Sequence, residues 1–241
     1  MGFFKPNWRS NNLKRAEKAI DNETDQLQLL DAAKNAQFDS IRVAAVIKLS
    51  RKEHQFDLET IATSDKSSWV RREATKKLEN QSVIEAIATT ERDDTVRKEA
   101  IEKVQNQSVL ETIATTDNND ELRRNAIKKI TNRAILINVA VKNNKDTVWC
   151  YAFEMVYAHK GKDFCKNDEI IKMMDILLRR KHGKFVYDLL TPEERKELRF
   201  EIKEEIVENW SEPNGHYIEW NRKGCYFRGN YAFLISQTER K

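Results

Sequence analysis

Alanine recurs every 26 residues along this chain, at Ala62, Ala88, Ala114 and Ala140, and an aliphatic residue keeps the same step at Val70, Val96, Leu122 and Val148. A unit of that length is too short to be a domain and long enough for two helices. Each such unit carries two apolar stripes that it cannot bury alone, so neighbouring units must stack on one another. Stacked helical hairpins are therefore expected over the first two-thirds of the 241 residues.

Three units align without gaps, at 56–81, 82–107 and 108–133; a fourth follows from Ala134, and an earlier one starts near Asp25 if three extra residues are allowed between Arg51 and His54. Residues 13–20 read as half of a still earlier unit acting as an N-terminal cap. In the first helix of a unit, helix A, the triplets Leu58/Ile61/Ala62, Ile84/Ile87/Ala88 and Leu110/Ile113/Ala114 form the i, i+3, i+4 stripe of an amphipathic helix. Ser82 with Glu85 and Ser108 with Glu111 have capping-box spacing. The second helix, B, is expected to be capped by Asp39, Ser68, Asp94, Asp120 or Asp146, and buries Val70/Ala74/Leu78 or Val96/Ala100/Val104. Asn80, Asn106 and Asn132 stand where a residue tolerant of left-handed backbone would end it.

The strings Asp94-Thr-Val96-Arg97-Lys-Glu-Ala100 and Asp120-Glu-Leu122-Arg123-Arg-Asn-Ala126 resemble the short HEAT-like repeats of bacterial proteins, best known from the phycobilisome bilin lyases. The resemblance covers about residues 13–156 and implies an α-solenoid that serves as an interaction surface. It also implies that B helices line the concave side, and that the column Arg42, Arg71, Arg97 and Arg123 pairs with acids at the turns between helices. Such a likeness speaks for fold and not for chemistry.

Charge separates between the two helices. The B helices carry 16 Lys or Arg against 6 acids, whereas Asp25, Asp31, Asp57, Glu59, Glu85 and Glu111 stand against Lys34 in the first four A helices. On a helical wheel centred on Ala74, Arg72 and Lys76 fall about 160° from the buried direction. Lys98, Arg124 and Lys128 are their equivalents, interrupted by Glu102, and together they define a candidate basic groove flanked by Trp69 and Trp149. A solvated face copied by repeat duplication is the alternative.

Beyond Val156 the register fails. Residues 168–181 read as a helix with Ile171, Met174, Ile176, Leu177 and Leu178 apolar, and Thr191-Pro192-Glu193-Glu194 opens another expected to reach Trp210 with Phe200, Ile202, Ile206 and Val207 inward. Aromatic runs at 217–221, 225–228 and 231–235 suggest two small hairpins. The expected organisation is thus all-α: a HEAT-like solenoid of short two-helix repeats at 1–158, then a helical C-terminal cap with a small β-hairpin tail at 159–241.

No motif for catalysis emerges. The chain lacks a phosphate-binding glycine loop and a nucleophile elbow, so no enzymatic activity and no cofactor are expected. His159, Cys165 and His182 lack paired-ligand spacing, so no metal is expected either. Cys150, Cys165 and Cys225 form no disulfide framework, the start has no signal-peptide core, Pro6 occupies the slot where myristoylation needs Ser or Thr, and no apolar run approaches the roughly 18 residues of a membrane span. A cytoplasmic scaffold binding an acidic protein is the leading expectation. A nucleic-acid binder is the alternative: HEAT-like alkylpurine DNA glycosylases hold a lesion with Trp and an acid on a basic surface, a role open to Trp69, Trp149 and Asp146 by resemblance alone.

Overall fold

The computed structural model describes residues 7–143, 146–161, 164–178, 180 and 184–197, together with two four-residue strands at 218–221 and 224–227. They fall into two compact units, 1–109 and 110–241, with the division inside one helix.

In the N-terminal unit a short 3-10 turn (Asn7–Arg9) and α1 (Leu13–Asn22) precede three A/B pairs: α2 (Gln26–Asn35) with α3 (Asp39–Lys48), α4 (Gln55–Ser64) with α5 (Ser68–Lys77), and α6 (Gln81–Thr90) with α7 (Asp94–Lys103). From α4 to α7 each helix starts 13 residues after the last, ten helical residues and a three-residue turn. The step from α3 to α4 is three residues longer, as the Arg51–His54 insertion requires. Each A helix packs on its own B helix, and the B helices lie side by side in the order α1, α3, α5, α7.

The expected stripes form the core. Leu58, Ile61, Ala62, Val70, Ala74, Ile84, Ala88, Val96 and Ala100 are all buried. The caps are displaced from their expected positions. Asn80 does not end α5 in left-handed backbone; it is extended, with φ −67° and ψ 108°, and its side chain accepts from the Ser82 amide to start α6. Ser82 thus lies inside the first turn, and the capping box with Glu85 does not form. For the B helices the cap is one residue earlier than expected, Ser67 and Asp93 in place of Ser68 and Asp94, with Asp93 accepting from Thr95 and Val96. Leu78 and Val104, expected inside the helical stripe, are buried residues just beyond the helix end.

Two polar columns bind one helix to another. The first residue of α2, α4 and α6 is Gln, and its side-chain oxygen accepts from the backbone amide just past its own B helix: Gln26 from Ser50 (2.7 Å), Gln55 from Glu79 (2.9 Å) and Gln81 from Gln105 (3.2 Å). The last residue of α3, α5 and α7 is Lys, and its ammonium donates to carbonyls at the end of the preceding B helix: Lys48 to Ile20 (2.9 Å), Lys77 to Leu49 (2.8 Å) and Lys103 to Lys76 (2.7 Å). Cations there answer the negative end of the helix dipole. Burial pulls the Lys77 and Lys103 ammonium groups below the usual lysine range.

The C-terminal unit repeats the scheme with α9 (Asp120–Lys129), α10 (Arg133–Lys142) and α11 (Asp146–Ala158), after α8 (Gln107–Thr116), which spans the division. Asn119 and Asn132 cap α9 and α10. A second 3-10 turn (Phe164–Lys166), α12 (Asp168–Leu178), α13 (Lys184–Leu189) and α14 (Pro192–Glu197) follow, and α12 packs on α10 where a next A helix would stack. Its buried side is Ile170, Met173, Met174, Leu177 and Leu178; Ile176, one of the apolar residues read in this helix, is 42% exposed. Thr191 and Glu194 form the expected capping box, the Thr191 amide donating to Glu194 and the Glu194 amide to Thr191 Oγ1. Phe200, Ile202, Ile206 and Val207, expected inward, and the run at 231–235 lie outside the described residues. Of the tail, only an antiparallel pairing of Ile218–Asn221 with Gly224–Phe227 is described, and the expected two-hairpin tail is not supported.

Candidate interaction face

The arginine column is structural. In the N-terminal unit Arg42 Nε and Nη2 donate to the Asp65 carboxylate at 2.8 and 2.9 Å, and Nη1 donates to the Ala36 carbonyl at 3.0 Å. Arg71 does the same toward Glu91 (2.9 and 2.9 Å) and the Asp65 carbonyl (2.9 Å). Each guanidinium therefore satisfies the carbonyl six residues back, just past its own A helix, and clasps the acid just past the A helix of the next repeat. The hydrogen bonds it donates to Glu91 hold the Arg71 guanidinium above the usual arginine range, and Arg71 together with neighbouring backbone amides holds Glu91 below the usual carboxylate range against the effect of burial. Arg97 repeats the carbonyl contact with Glu91 (2.8 Å) and pairs with Asp94 (2.6 Å). In the C-terminal unit Arg123 contacts the Asp117 carbonyl and Asp120.

At the next step of the column Arg is replaced by Trp149, and the structure shows what takes its place. Arg180, from the segment after α12, sends Nη1 to the Asn143 carbonyl (2.6 Å), the group six residues before position 149, and to Ala140 (3.1 Å). Its guanidinium carbon sits 5.6 Å from the Trp149 ring centroid. The segment after α12 thus supplies the missing guanidinium from outside the repeat and lays it on the residue that displaced it. Trp149 is fully buried, edge-on to Phe185 at 6.2 Å, within a cluster that includes Phe153, Tyr157 and Phe164.

The outward column divides between the units. In the N-terminal unit Trp69 is 63% exposed, at the start of α5, with Arg72 and Lys76 following at i+3 and i+7 on the same stripe. Lys98 is exposed at the equivalent place on α7. The cations do not stand clear in solvent as the isolated wheel suggests: Arg72 is 33% exposed and pairs with Glu99 of α7 at 3.5 Å, and Lys76 is 37% exposed and pairs with Glu73 at 2.6 Å. Carboxylates therefore interleave with the bases. On α3 the same column carries Val43 and Ile47, the latter 54% exposed, which a search for basic residues passes over. Aligning Ile47 with Lys76 would have shown the exchange. In the C-terminal unit Lys128 is exposed and Arg124 half-buried, its Nε without a hydrogen-bond partner. The structure therefore brings Trp69, Arg72, Lys76 and Lys98 onto one face and puts Trp149 in a core.

Two clefts accompany these features. One of about 410 Å³ in the N-terminal unit is lined by Thr63, Asp65, Arg71, Thr90, Glu91 and Arg92, and the Arg71 and Glu91 side chains that line it are already bonded to each other. One of about 550 Å³ in the C-terminal unit is an apolar groove between α10 and α12, lined by Ile135, Ile137, Val141, Met173 and Ile176 with Glu169 and Lys172 at its rim.

On α11 the column positions are taken by Cys150, which is buried, and Glu154, half-buried with its carboxyl pushed up to about 7 by loss of solvent alone. A carboxyl that is harder to ionise folded than unfolded lowers stability as pH rises between its ordinary value near 4.5 and about 7. Glu154→Gln is expected to raise the urea midpoint at pH 8 and leave it nearly unchanged at pH 4.5. Equal shifts at both pH values would show that Glu154 does not titrate this way.

Among the described residues no group of His, Cys, Asp or Glu could hold a metal ion, and no helix is long and apolar enough to cross a membrane. His182 and the side chain of Cys165 lie outside the description. Comparison with protein-family models, curated proteins and solved structures returns no match.

Proposed function

We propose that this chain is a non-enzymatic, cytoplasmic repeat scaffold of HEAT-like type, which binds an acidic protein partner through the B-helix face of its N-terminal unit. The observation that carries this reading is the largely exposed Trp69 beside the half-exposed Arg72 and Lys76 and the exposed Lys98. A rigid aromatic next to an arginine is the usual composition of an interaction hot spot. Glu73 and Glu99 on the same face favour a protein over a nucleic acid, because a phosphate backbone is negative at every step, whereas a protein segment can set neutral or basic side chains against these two carboxylates and acids against the cations. The helical C-terminal elements serve as the cap of the repeat array, and the small β tail belongs to that cap.

Titration of the full chain against a random DNA duplex between 50 and 200 mM salt tests the choice. The expected result is weak binding with a shallow salt dependence. A ligand making 6–10 phosphate contacts loses about 10³–10⁵ in affinity over that range. Tight binding with so steep a dependence would overturn the protein reading in favour of the nucleic-acid one.

A further inference from the structure

The N-terminal B-helix face is not uniformly basic. Equivalent column positions carry Val43 and Ile47 on α3, Arg72 and Lys76 on α5, and Lys98 and Glu102 on α7, with Trp69 at the head of α5. Since α3, α5 and α7 lie side by side, this face passes from apolar at α3, through an exposed indole, to cationic at α5 and to mixed charge at α7, where Lys98 is followed by the exposed Glu102. Resting on the function proposed above, we infer that its partner is an acidic amphipathic segment, with bulky apolar side chains seated against Ile47 and Trp69 and carboxylates set against Arg72 and Lys98.

Three observations support the apolar half. Ile47 and Trp69 are 54% and 63% exposed and occur on adjacent helices of one layer. Neither contributes much to the repeat fold, whose core is made by other positions. Ile is moreover a weak choice for a solvent-facing helix site, where the equivalent positions of later repeats use Lys76, Glu102 and Lys128. Adjacent B helices at interaxial distances of about 8–10 Å, with the two residues about seven positions apart along the axis at 1.5 Å per residue, put the side chains about 14 Å from each other. Two or three turns of a helix, or four extended residues, span that gap. The charged half is held ready by weak contacts: half-exposed ion pairs near the surface such as Arg72–Glu99 and Lys76–Glu73 contribute little by themselves, so they fix the cations without preventing exchange for a partner's carboxylate.

The test uses the full chain and a set of 14-residue peptides in which Glu and Asp surround two Leu or Phe residues spaced 3, 4, 7 or 11 apart. Controls replace the apolar pair by Ser, or every acid by its amide. Binding is read by fluorescence anisotropy and by the shift of the Trp69 indole resonance. At least one two-feature peptide is expected to bind ten-fold or more tightly than both of its controls and to move the Trp69 signal. Ile47→Ser and Trp69→Ser should each reduce that affinity about ten-fold while leaving the Ser control unaltered, and Arg72→Glu should weaken both. Circular dichroism confirms that each variant folds. Equal binding of two-feature and Ser-control peptides would overturn the apolar half while leaving an acidic partner in place. Absence of binding by every peptide, with duplex DNA bound through Arg72, would overturn the proposed function itself, and absence of all binding would overturn both.

Discussion

Replacing Trp149 by alanine is expected to destabilise the C-terminal unit by about 3–5 kcal/mol, the range for removing a large aromatic from a packed core. The side chain is fully buried, edge-on to Phe185, and forms the surface on which the Arg180 guanidinium rests. Removing the ring leaves a void and also takes away the support that aims Arg180 at the carbonyls of Ala140 and Asn143. The loss should be read by denaturation followed by circular dichroism and by amide exchange in α11 and α12, which should lose protection together. Trp149→Phe keeps most of the apolar area and should cost clearly less. An unchanged midpoint for Trp149→Ala would put this residue at the surface and return it to the candidates for ligand contact.

How far the sequence reveals this arrangement depends on whether a feature is periodic. The 13-residue rhythm of helix starts, the buried stripes and the longer step at Arg51–His54 all follow from residues that recur in register. The column of arginines is legible for the same reason, and its bonds to Asp65 and Glu91 fall at the turns where the repeat places acids. Caps are less legible because Ser67-Ser68, Asp93-Asp94 and Asn119-Asp120 each offer two good capping residues in succession, and only backbone geometry selects the first. Arg180 could not be read at all. It replaces a repeat residue from a distant stretch with no periodicity, and no local pattern marks it. On the candidate face the wheel gives the direction of Arg72 correctly, yet a wheel treats one helix alone, and it is Glu99 on the neighbouring helix that tempers the charge. Ile47 was visible in the sequence as an apolar residue in a polar column, but its meaning depends on the lateral order of α3, α5 and α7.

The second large effect is expected at Arg42. Its side chain is 3% exposed and that of Asp65 8%, so neither charge has much access to water. Asp65 also accepts from the Ser67 amide at 2.8 Å, which keeps its carboxylate in place whether or not the arginine is present. Arg42→Ala therefore strands a nearly buried carboxylate and leaves the Ala36 carbonyl without its donor, and it is expected to cost about 3–5 kcal/mol, the range for removing one partner of a buried pair. In a stack where each repeat contacts only its neighbours, that loss falls on the contact between the α2/α3 and α4/α5 pairs. Hydrogen exchange should then show α1 to α3 opening ahead of α6 and α7. Much of the cost comes from the stranded charge and not from the lost attraction, so the double variant Arg42→Met with Asp65→Asn, which removes both charges and keeps an acceptor for Ser67, should recover part of it. Singles and double that add within about 0.5 kcal/mol would show the two groups to be uncoupled, and the arginine column would then reduce to a set of helix-end caps with no part in joining one repeat to the next.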